Sequence, residues 1–560
     1  MDAGPPLFSE RARSGLTLLV ALLVAFPVAA VAWIALTGGI GDNWQHLWET
    51  VLPGYVLNSI KLAVLVGIGV FLAGTACAWL VTMHDFPGAR FLEWALLLPL
   101  AMPAYVVAFV YTDLLEYAGP VQGTLRDLFG WQTPRDYWFP EIRSLGGAGF
   151  VMTMSFFPYV YLLARTAFLE QSLCALEVSR TLGCTKWDAF RRVALPLAWP
   201  SIMVGIMLCL METLSDFGVV DLFSVQTLTT GLFNVWLVMG DAAGGAQIAL
   251  VLLVFIAGLV WLERRGRIRR AYYVQTSRMK SPPRQRLYGW RGAGASLLCF
   301  LPFFFGFLLP AIILARLSGA RLSTALSLDF AALVLRSVTL GGAAALLCVA
   351  VAVGLAYSTR LGVSRPAALA ARAASFGYAV PGAVLAIGVL VPFGFFDRTV
   401  NGFMESAFGV SVGLILSGTV AALLFAYLVR FLTLAHGTVE SGLSRLRPSL
   451  DMAARTLGRG ATGTLRDVHL PLIRGSLLTA ILLVFVDVIK ELPATLVLRP
   501  FNFDTLATTA YSLAADERFA EAALPSLAIA LAGLLPVLII SRAITKARDF
   551  GASPETEVLM

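Results

Sequence analysis

Charged residues are scarce in this chain of 560 residues. Asp, Glu, Lys and Arg together make up 14% of it, whereas apolar residues make up 58%. The mean hydropathy is +0.79. One soluble core cannot bury that much apolar surface, so the composition excludes an ordinary soluble domain and predicts a protein that lies in the lipid bilayer.

Histidine is rarer still, with four residues in the chain, and two common catalytic motifs are missing. The sequence contains neither a phosphate-binding GxxxxGK[ST] loop nor an HExxH metalloprotease motif. We therefore predict that the chain is not an enzyme, and that any nucleotide hydrolysis linked to it occurs on another chain. The histidines lie far apart, at His46, His84, His436 and His469.

Cysteine is also infrequent, and the six residues show no CxxC spacing and no dense framework. They fall in or beside apolar segments, or in loops that we place in the cytoplasm. This pattern predicts no disulfide bonds.

The charge that is present is biased toward Lys and Arg, which number 42 against 34 Asp and Glu and give a net charge of +8. A membrane protein that keeps its basic residues on the cytoplasmic side has the same imbalance as a nucleic-acid-binding protein. We therefore expect no nucleic-acid partner. The densest basic stretch, from Glu263 to Arg291, is expected to anchor the topology against anionic headgroups and to join two halves flexibly.

Twelve apolar runs are long enough to cross a bilayer, which requires roughly 20 residues per helix. Six lie on each side of residue 280, and the distribution of basic residues places both chain ends in the cytoplasm. The first run follows Arg11 and Arg13 and is expected to be a retained signal anchor. The predicted spans are residues 16–37, 57–81, 91–115, 146–167, 199–220 and 245–263, and then 295–316, 333–357, 373–396, 409–429, 475–495 and 522–541.

The two sets of spans form an internal repeat at an offset of 275 to 278 residues. Because each set has an even number of spans, both halves have the same orientation, and we expect a pore at their interface. The predicted fold is all-α and integral to the membrane, with twelve transmembrane helices as two parallel six-helix repeats, 1–270 and 295–560, joined by a basic cytoplasmic linker, 271–294. The recurring landmarks are Asn58-Ser59 and Arg336-Ser337, Pro103–Val106 and Pro381–Val384, Arg180–Gly183 and Arg455–Gly458, and Leu195–Leu197 and Leu470–Leu472.

A long cytoplasmic loop follows the fourth span of each half, at residues 168–198 and 430–474. In each loop a glycine, Gly183 or Gly458, is followed thirteen residues later by a proline, Pro196 or Pro471. This spacing predicts a helix, a glycine break and a second short amphipathic helix that ends before the proline. Such a bent helical pair makes a rigid knob that projects into the cytoplasm.

These two segments resemble the EAA loops of ABC importer permeases, which carry a glutamate, an alanine pair, a glycine and a terminal Leu-Pro. The resemblance implies a fold like that of type I ABC importer permeases, in which each loop docks on a separate ATPase subunit. The first loop has Val178-Ser179 in place of the alanines, and the second has Met452 in place of the glutamate. The residues implied in coupling to the ATPase are Glu177, Arg180, Gly183, Leu195, Pro196, Ala453, Ala454, Arg455, Gly458, Leu470 and Pro471.

The fused two-half layout is similar to that of bacterial ferric-iron permeases, and residues 211–231 and 486–509 resemble their sequences at the outer end of span five. The resemblance covers nearly the whole chain and implies a multi-pass protein of the bacterial inner membrane. It implies that a periplasmic binding protein delivers ferric iron. It also implies that two copies of an ABC ATPase, which hold the ATP and Mg, drive alternating access, while this chain itself binds no cofactor.

Carboxylates in the fifth span of each half indicate how the ion is handled. Glu212 and Asp216 lie four residues apart, as do Asp487 and Glu491 in the other half, and on a helix each pair shares one face. Ionisable groups within a membrane span usually face a protein interior or an aqueous path. We expect these four residues to line the translocation path, and Glu212 and Asp487 to contact the metal, because oxygen ligands suit a hard cation. The alternative is that they pair with Lys490 or other basic neighbours, or cap the end of span five.

Two other functions remain open. A secondary transporter driven by an ion gradient would explain the hydropathy and the repeat equally well. It would not need two glycine-broken knobs at one spacing. An ABC permease for thiamine, a polyamine or an organophosphonate would keep the architecture and change only the substrate.

Overall fold

The computed structural model describes residues 10–39, 47–170, 185–268, 284–319, 327–374, 377 and 380–549. These residues form helices, loops and two very short strands. Up to residue 268 the α-helices are α1 Glu10–Thr37, α2 Leu52–Met83, α3 Ala89–Ala95, α4 Ala104–Leu115, α5 Pro120–Phe129, α6 Leu145–Glu170, α7 Lys186–Ala189, α8 Leu195–Ser215, α9 Gly218–Leu222, α10 Leu228–Phe233 and α11 Ala242–Ile268.

The later part of the chain continues in the same manner. Its α-helices are α12 Gly289–Phe303, α13 Leu309–Gly319, α14 Leu328–Leu361, α15 Arg365–Ala374, α16 Gly382–Phe408, α17 Val420–Ser444, α18 Pro448–Thr456, α19 Ala461–Thr464, α20 Leu470–Leu472, α21 Arg474–Lys490, α22 Pro493–Leu498, α23 Leu506–Ala515 and α24 Phe519–Asp549. Five π-helical turns and one 3₁₀ turn join some of these helices: π1 Leu47–Val51, π2 Phe190–Ala194, π3 Asn234–Val238, π4 Phe304–Leu308, π5 Leu465–His469, and the 3₁₀ turn Leu98–Ala101.

Ten helices in the described part of the chain are long and apolar enough to cross a membrane, or twelve if each of two bent pairs counts as one span. This confirms the predicted all-α membrane fold. The bent pairs are Ala89–Ala101 with Ala104–Phe129, at 92°, and Ala461–Leu472 with Arg474–Lys490, at 76°.

Proline explains the first of these bends. Pro103 has φ −61° and ψ 144°, an extended conformation, and α4 begins at the next residue. Pro381 has nearly the same angles, −58° and 143°, immediately before α16. A proline ring prevents the preceding residue from continuing a helix, so each half starts a new helix at the matching position.

The predicted tenth span, 409–429, is displaced from the observed helix, because α17 begins at Val420 and continues to Ser444. The apolar stretch before it is a loop in which Gly409, Gly413 and Gly418 all have positive φ. The buried Asp397 carboxylate accepts the N–H groups of Leu416 and Ser417 at 2.9 and 2.7 Å and so satisfies this backbone.

The chain forms two compact units, and neither is one of the sequence halves. Unit one comprises residues 1–48, 231–253 and 323–509, and unit two comprises residues 49–230, 254–322 and 510–560. Helix α1 therefore belongs with the helices of the second half, and α12 and α13 belong with those of the first. The repeat boundaries 1–270 and 295–560 describe the sequence and remain a prediction.

In unit one, α1 packs against α15 and α16, and α14 packs against α17 and α21. Gly388 permits the close approach of α16 to α1, since a Cβ there would lie 2.3 Å from the carbonyl oxygen of Pro27. In unit two, α2 packs against α6 and α8, and α13 packs against α24. Each unit thus buries apolar helix faces contributed by both ends of the chain.

The end of the basic linker is an ordered part of unit two. Strand β2, Gln285–Arg286, pairs in parallel with β1, His84–Asp85. Arg284 forms an ion pair of 2.7 Å with Glu93, which also pairs with the buried Arg165. The expectation of a flexible join therefore does not apply to residues 284–287.

Candidate functional site

The glycine break predicted for the second coupling loop is present. Helix α18 ends at Thr456, and Gly458 has φ +76°, a left-handed conformation that glycine adopts without steric penalty. The N–H of Gly458 donates to the carbonyl of Arg455 at 3.0 Å, and the N–H of Arg459 donates to that of Ala454 at 2.9 Å. These bonds satisfy two carbonyls that the helix end would otherwise leave unpaired, and they turn the chain sharply toward α19.

The second helical piece of each loop runs through its proline, so the predicted end before the proline is wrong. Pro196 and Pro471 each occupy the first turn of a helix, α8 or α20, directly after π2 or π5. Proline lacks an N–H and its ring crowds the carbonyl four residues earlier. A wider π turn relieves this crowding, and the N–H of Leu195 accordingly bonds to the carbonyl of Phe190. Leu195 and Leu470 therefore open these helices.

Helix α18 and the turn after it expose two large apolar side chains. The side chains of Met452 and Leu457 are 59% and 81% exposed. Ala453 and Arg455 are exposed beside them, whereas Ala454 is buried. Large apolar side chains exposed together are typical of a contact with another chain. Of the predicted coupling residues, Glu177, Arg180 and Gly183 lie outside the described residues.

A buried cluster at the base of this loop escaped the sequence analysis. The Asp451 carboxylate accepts a hydrogen bond from Arg360 at 2.7 Å and lies 3.0 Å from Nε2 of His469. His469 is fully buried, so it is unavailable to a partner chain. The sequence marks the histidine as unusual, but Arg360 is 91 positions from Asp451 and only the tertiary fold brings them together.

Glu491 is buried and caps a helix. Its carboxylate accepts the N–H groups of Ala494 and Thr495, both at 2.9 Å, and the hydroxyl of Thr495. Arg430 forms an ion pair with it at 3.4 Å, and Tyr427 hydrogen-bonds to Thr495 at 2.6 Å. Hydrogen-bond donors and a basic side chain of its own unit thus stabilise the negative charge of Glu491, as expected for a buried carboxylate.

Asp216 has the matching position in unit two. Its carboxylate accepts the N–H of Val219 at 2.8 Å at the start of α9, and its carbonyl accepts the hydroxyl of Thr229 at 2.9 Å. Asp216 and Glu491 both have extended backbones just after the ends of α8 and α21. The prediction that each carboxylate pair shares one helical face is therefore wrong, because the helix ends between its two members.

The two carboxylates that remain on helices differ in their neighbours. Asp487 pairs with Lys490 at 3.0 Å on the last turn of α21, and both are partly exposed. Glu212 is partly exposed on α8, and no Lys or Arg among the described residues lies within ion-pair distance of it. The described residues contain no group of three or more His, Cys, Asp or Glu that could hold a metal ion. Glu212 and Asp487 belong to different units, and metal contact by them remains a prediction.

A serine in each half holds the loop that follows these carboxylates. Ser59 of α2 accepts the N–H of Leu228 at 3.0 Å, and Ser337 of α14 accepts the N–H of Leu506 at 2.8 Å. Each bond spans 169 residues. Leu228 and Leu506 are the first residues of α10 and α23, so each serine satisfies an N–H that has no partner within its helix.

A loop of unit two lines an open cavity of about 660 Å³ whose walls include Tyr117, Tyr137 and other residues between Leu115 and Ser144. Arg143 forms ion pairs with Glu116 and Glu517 at its edge. The N–H groups of Thr133 and Gln132 lower the pKa of the Asp136 carboxyl. The charged groups of Arg143, Glu116 and Asp136 thus interact with neighbours in the same unit.

Comparisons with known proteins agree with this architecture. Residues 66–265 match the family described as the binding-protein-dependent transport system inner membrane component. The chain is 26% identical over 534 residues to the Fe(3+)-transport system permease protein FbpB 2 of Haemophilus influenzae, covering 94% of this chain and 97% of that protein.

Shorter relatives match about half of the chain. A permease of Salmonella choleraesuis, PhnU, named for 2-aminoethylphosphonate transport, is 27% identical over 44% of this chain and 88% of its own length. The molybdenum transport system permease protein ModB of Escherichia coli (strain K12) is 27% identical over 40% of this chain and 96% of its own length. The chain is a fused two-half permease subunit of an ABC-type importer, and its residues 66–265 are a domain of the binding-protein-dependent transport system inner membrane component family.

Proposed function

We propose that this chain carries ferric iron across the bacterial inner membrane. The observation that carries this proposal is the extent of the similarity to the Fe(3+)-transport permease, which reaches 94% of the chain and includes both halves. The relatives named for 2-aminoethylphosphonate and molybdenum cover 44% and 40% of it.

The carboxylates of span five divide into two roles in this proposal. Glu212 and Asp487 are partly exposed and contact the cation, for which carboxylate oxygens are suitable hard ligands. Asp216 and Glu491 bond to the backbone after their helices and hold the path in shape. The translocation path thus has two contacting and two positioning carboxylates.

Partner subunits supply energy and substrate. Two copies of an ABC ATPase hold ATP and Mg and dock on the coupling loops, where Met452 and Leu457 offer exposed apolar surface. A periplasmic binding protein delivers the iron to the opposite side, and both chain ends lie in the cytoplasm. Closure of the ATPases inverts a two-state pore, which requires a differential free energy of about 5 kcal/mol.

A second candidate substrate is 2-aminoethylphosphonate. The similarity to PhnU favours it, because 88% of that permease is covered. This compound carries an anionic phosphonate and a cationic ammonium group, and acidic side chains repel the first and attract the second. Direct uptake of each compound therefore distinguishes the two candidates.

Uptake of radiolabelled ferric iron tests the proposal in cells that express the chain with an ABC ATPase and a binding protein. Wild type is compared with Glu212→Gln, with Asp487→Asn, and with a variant that carries both Gly183→Ala and Gly458→Ala. Asp85→Asn, in an exposed ion pair outside both coupling loops, is the matched control. Variants are scored only where they insert into the membrane at wild-type levels.

Iron uptake that falls in the two carboxylate variants and in the glycine variant supports the proposal. Uptake of radiolabelled 2-aminoethylphosphonate but not of iron contradicts the proposed substrate and is consistent with an ATP-driven importer. Transport that persists without any ATPase contradicts ATP-driven import.

A further inference from the structure

Three residues tie the second coupling loop to the end of α14. Arg360 lies on the last turn of α14, Asp451 on α18 and His469 on π5, and the Asp451 carboxylate joins them through contacts of 2.7 and 3.0 Å. We call Arg360, Asp451 and His469 the loop clamp. Their side chains are 17%, 18% and 0% exposed. The Arg360–Asp451 ion pair is largely shielded from water, so removing one partner costs more than it does at an open surface, and His469 packs against the same carboxylate.

Three further hydrogen bonds extend this attachment to both sides of the Gly458 turn. Arg360 also donates to the carbonyls of Leu443 and Leu446, where the chain leaves α17. The hydroxyl of Tyr357, on the preceding turn of α14, donates to the carbonyl of Ala461 at 2.7 Å. The last two turns of α14 are therefore bonded to the second coupling loop on both sides of the Gly458 turn.

The other end of α14 is bonded to the segment that follows Glu491. The buried Ser337 accepts the N–H of Leu506 at 2.8 Å. At about 1.5 Å per residue, Ser337 and Arg360 are roughly 35 Å apart along the helix, comparable to the thickness of a bilayer core. Between them, α14 packs along α21, which carries Asp487.

We propose that the loop clamp makes the second coupling loop and α14 move as one body, so that displacement of the loop by an ATPase reaches the segment after Glu491. Arg360, Asp451 and His469 are positioning residues in this role. The proposal rests on the proposed function, since an ATPase must displace the loop. It goes beyond the docking surface, because none of the three residues belongs to that surface.

The three residues of the loop clamp are not repeated at the matching positions of the first-half sequence. At the repeat offsets, Thr82, Leu176 and Ala194 stand in place of Arg360, Asp451 and His469. The hydroxyl of Thr82 donates within its own helix, to the carbonyl of Ala78 at 2.6 Å. The serine bond at the other end is present in both halves. The two halves therefore share the serine bond, whereas the residue types of the clamp occur at these repeat positions in the second half alone.

The decisive experiment measures a distance and needs no transported substrate. Spin labels are placed on Ser449→Cys, exposed on α18, and Leu328→Cys, exposed at the start of α14, in an otherwise cysteine-free chain assembled with its ATPases. Pulsed electron paramagnetic resonance compares the nucleotide-free and ATP-trapped states. The proposal requires an unchanged distance with the clamp intact and a distance that changes with nucleotide in Asp451→Asn.

A second experiment measures the number of substrate molecules transported per ATP hydrolysed. Asp451→Asn and Arg360→Met are expected to keep ATPase binding and ATP hydrolysis while lowering transport per ATP by about tenfold, and Arg360→Lys to recover part of the loss. Asp85→Asn, which breaks the exposed Arg286–Asp85 pair outside both coupling loops, is the matched control and is expected to leave transport per ATP unchanged.

Different results would contradict the loop clamp and the proposed function. A distance that changes with nucleotide in the intact chain, or one that stays fixed in Asp451→Asn, overturns the loop clamp. Loss of ATPase binding in Asp451→Asn also overturns it, because the residues then serve only to fold the docking surface. If no ATPase co-purifies with the unaltered chain, the proposed function itself fails.

Discussion

Asp216 and Glu491 perform the same local task in the two halves but with different neighbours. Each follows the end of a helix, and each carboxylate accepts the N–H of the residue three positions later. Among the described residues, Glu491 alone of the two also has a basic partner, Arg430, whose repeat position in the first half is Ser155. Duplication thus preserved the backbone cap, while the charge balance around it diverged.

The largest expected loss of stability comes from removing the negative charge of Glu491. Glu491→Gln removes the carboxylate that pairs with the largely buried guanidinium of Arg430, which is expected to lower the free energy of unfolding by about 3 kcal/mol. Asp216→Asn has no such partner and is expected to lower it by about 1 kcal/mol. Thermal unfolding of the purified proteins in detergent measures both. Equal losses would show that Arg430 does not distinguish the halves.

The coupling-loop glycines offer a second comparison. Gly458 has positive φ and open space around it, so Gly458→Ala introduces backbone strain alone and is expected to destabilise by about 1 to 2 kcal/mol. Gly437 lies within α17, also with open space, and Gly437→Ala is expected to stabilise by about 0.5 kcal/mol. If the halves are equivalent here, Gly183→Ala destabilises the protein as much as Gly458→Ala does. Thermal unfolding measures these changes, and a change of the same sign in Gly458→Ala and Gly437→Ala would contradict the prediction.

The serine bonds are a feature that the halves share, so equal effects are expected. Ser59→Ala and Ser337→Ala each leave one N–H at a helix start without its acceptor, which is expected to lower the free energy of unfolding by about 1 kcal/mol. Hydrogen exchange at Leu228 and Leu506 reports the loss locally. A protected amide in either variant would mean that another group replaces the serine.

The smallest expected stability change concerns the helix-borne carboxylates, where the halves differ again. Asp487→Asn breaks a partly exposed pair with Lys490 and is expected to alter the free energy of unfolding by about 0.5 kcal/mol. Because Lys490 already offsets its charge, Asp487→Asn is expected to reduce iron uptake less than Glu212→Gln does. Uptake at matched expression distinguishes them, and the reverse order would contradict the proposed roles.

Sequence was informative where one physical property dominates. Apolar length predicts the twelve spans, and the repeated glycine predicts the turn at Gly458. Hydropathy does not separate an apolar loop from an apolar helix, so the span at 409–429 was displaced from α17. The spacing of Asp216 and Glu491 indicates a shared helix face, but each helix ends one residue earlier because the carboxylate bonds the next backbone turn. Arg360 and Asp451 carry no local signal, since only tertiary packing joins them.

The interleaving of the two units has a consequence for synthesis in the cell. Helix α1 packs against α15 and α16, which are made several hundred residues later. At about 5–20 residues per second, α1 waits for on the order of tens of seconds in the bilayer before its partners emerge. Assembly of this permease therefore cannot proceed half by half. Helix α1 packs into its unit only after α15 and α16 have been made.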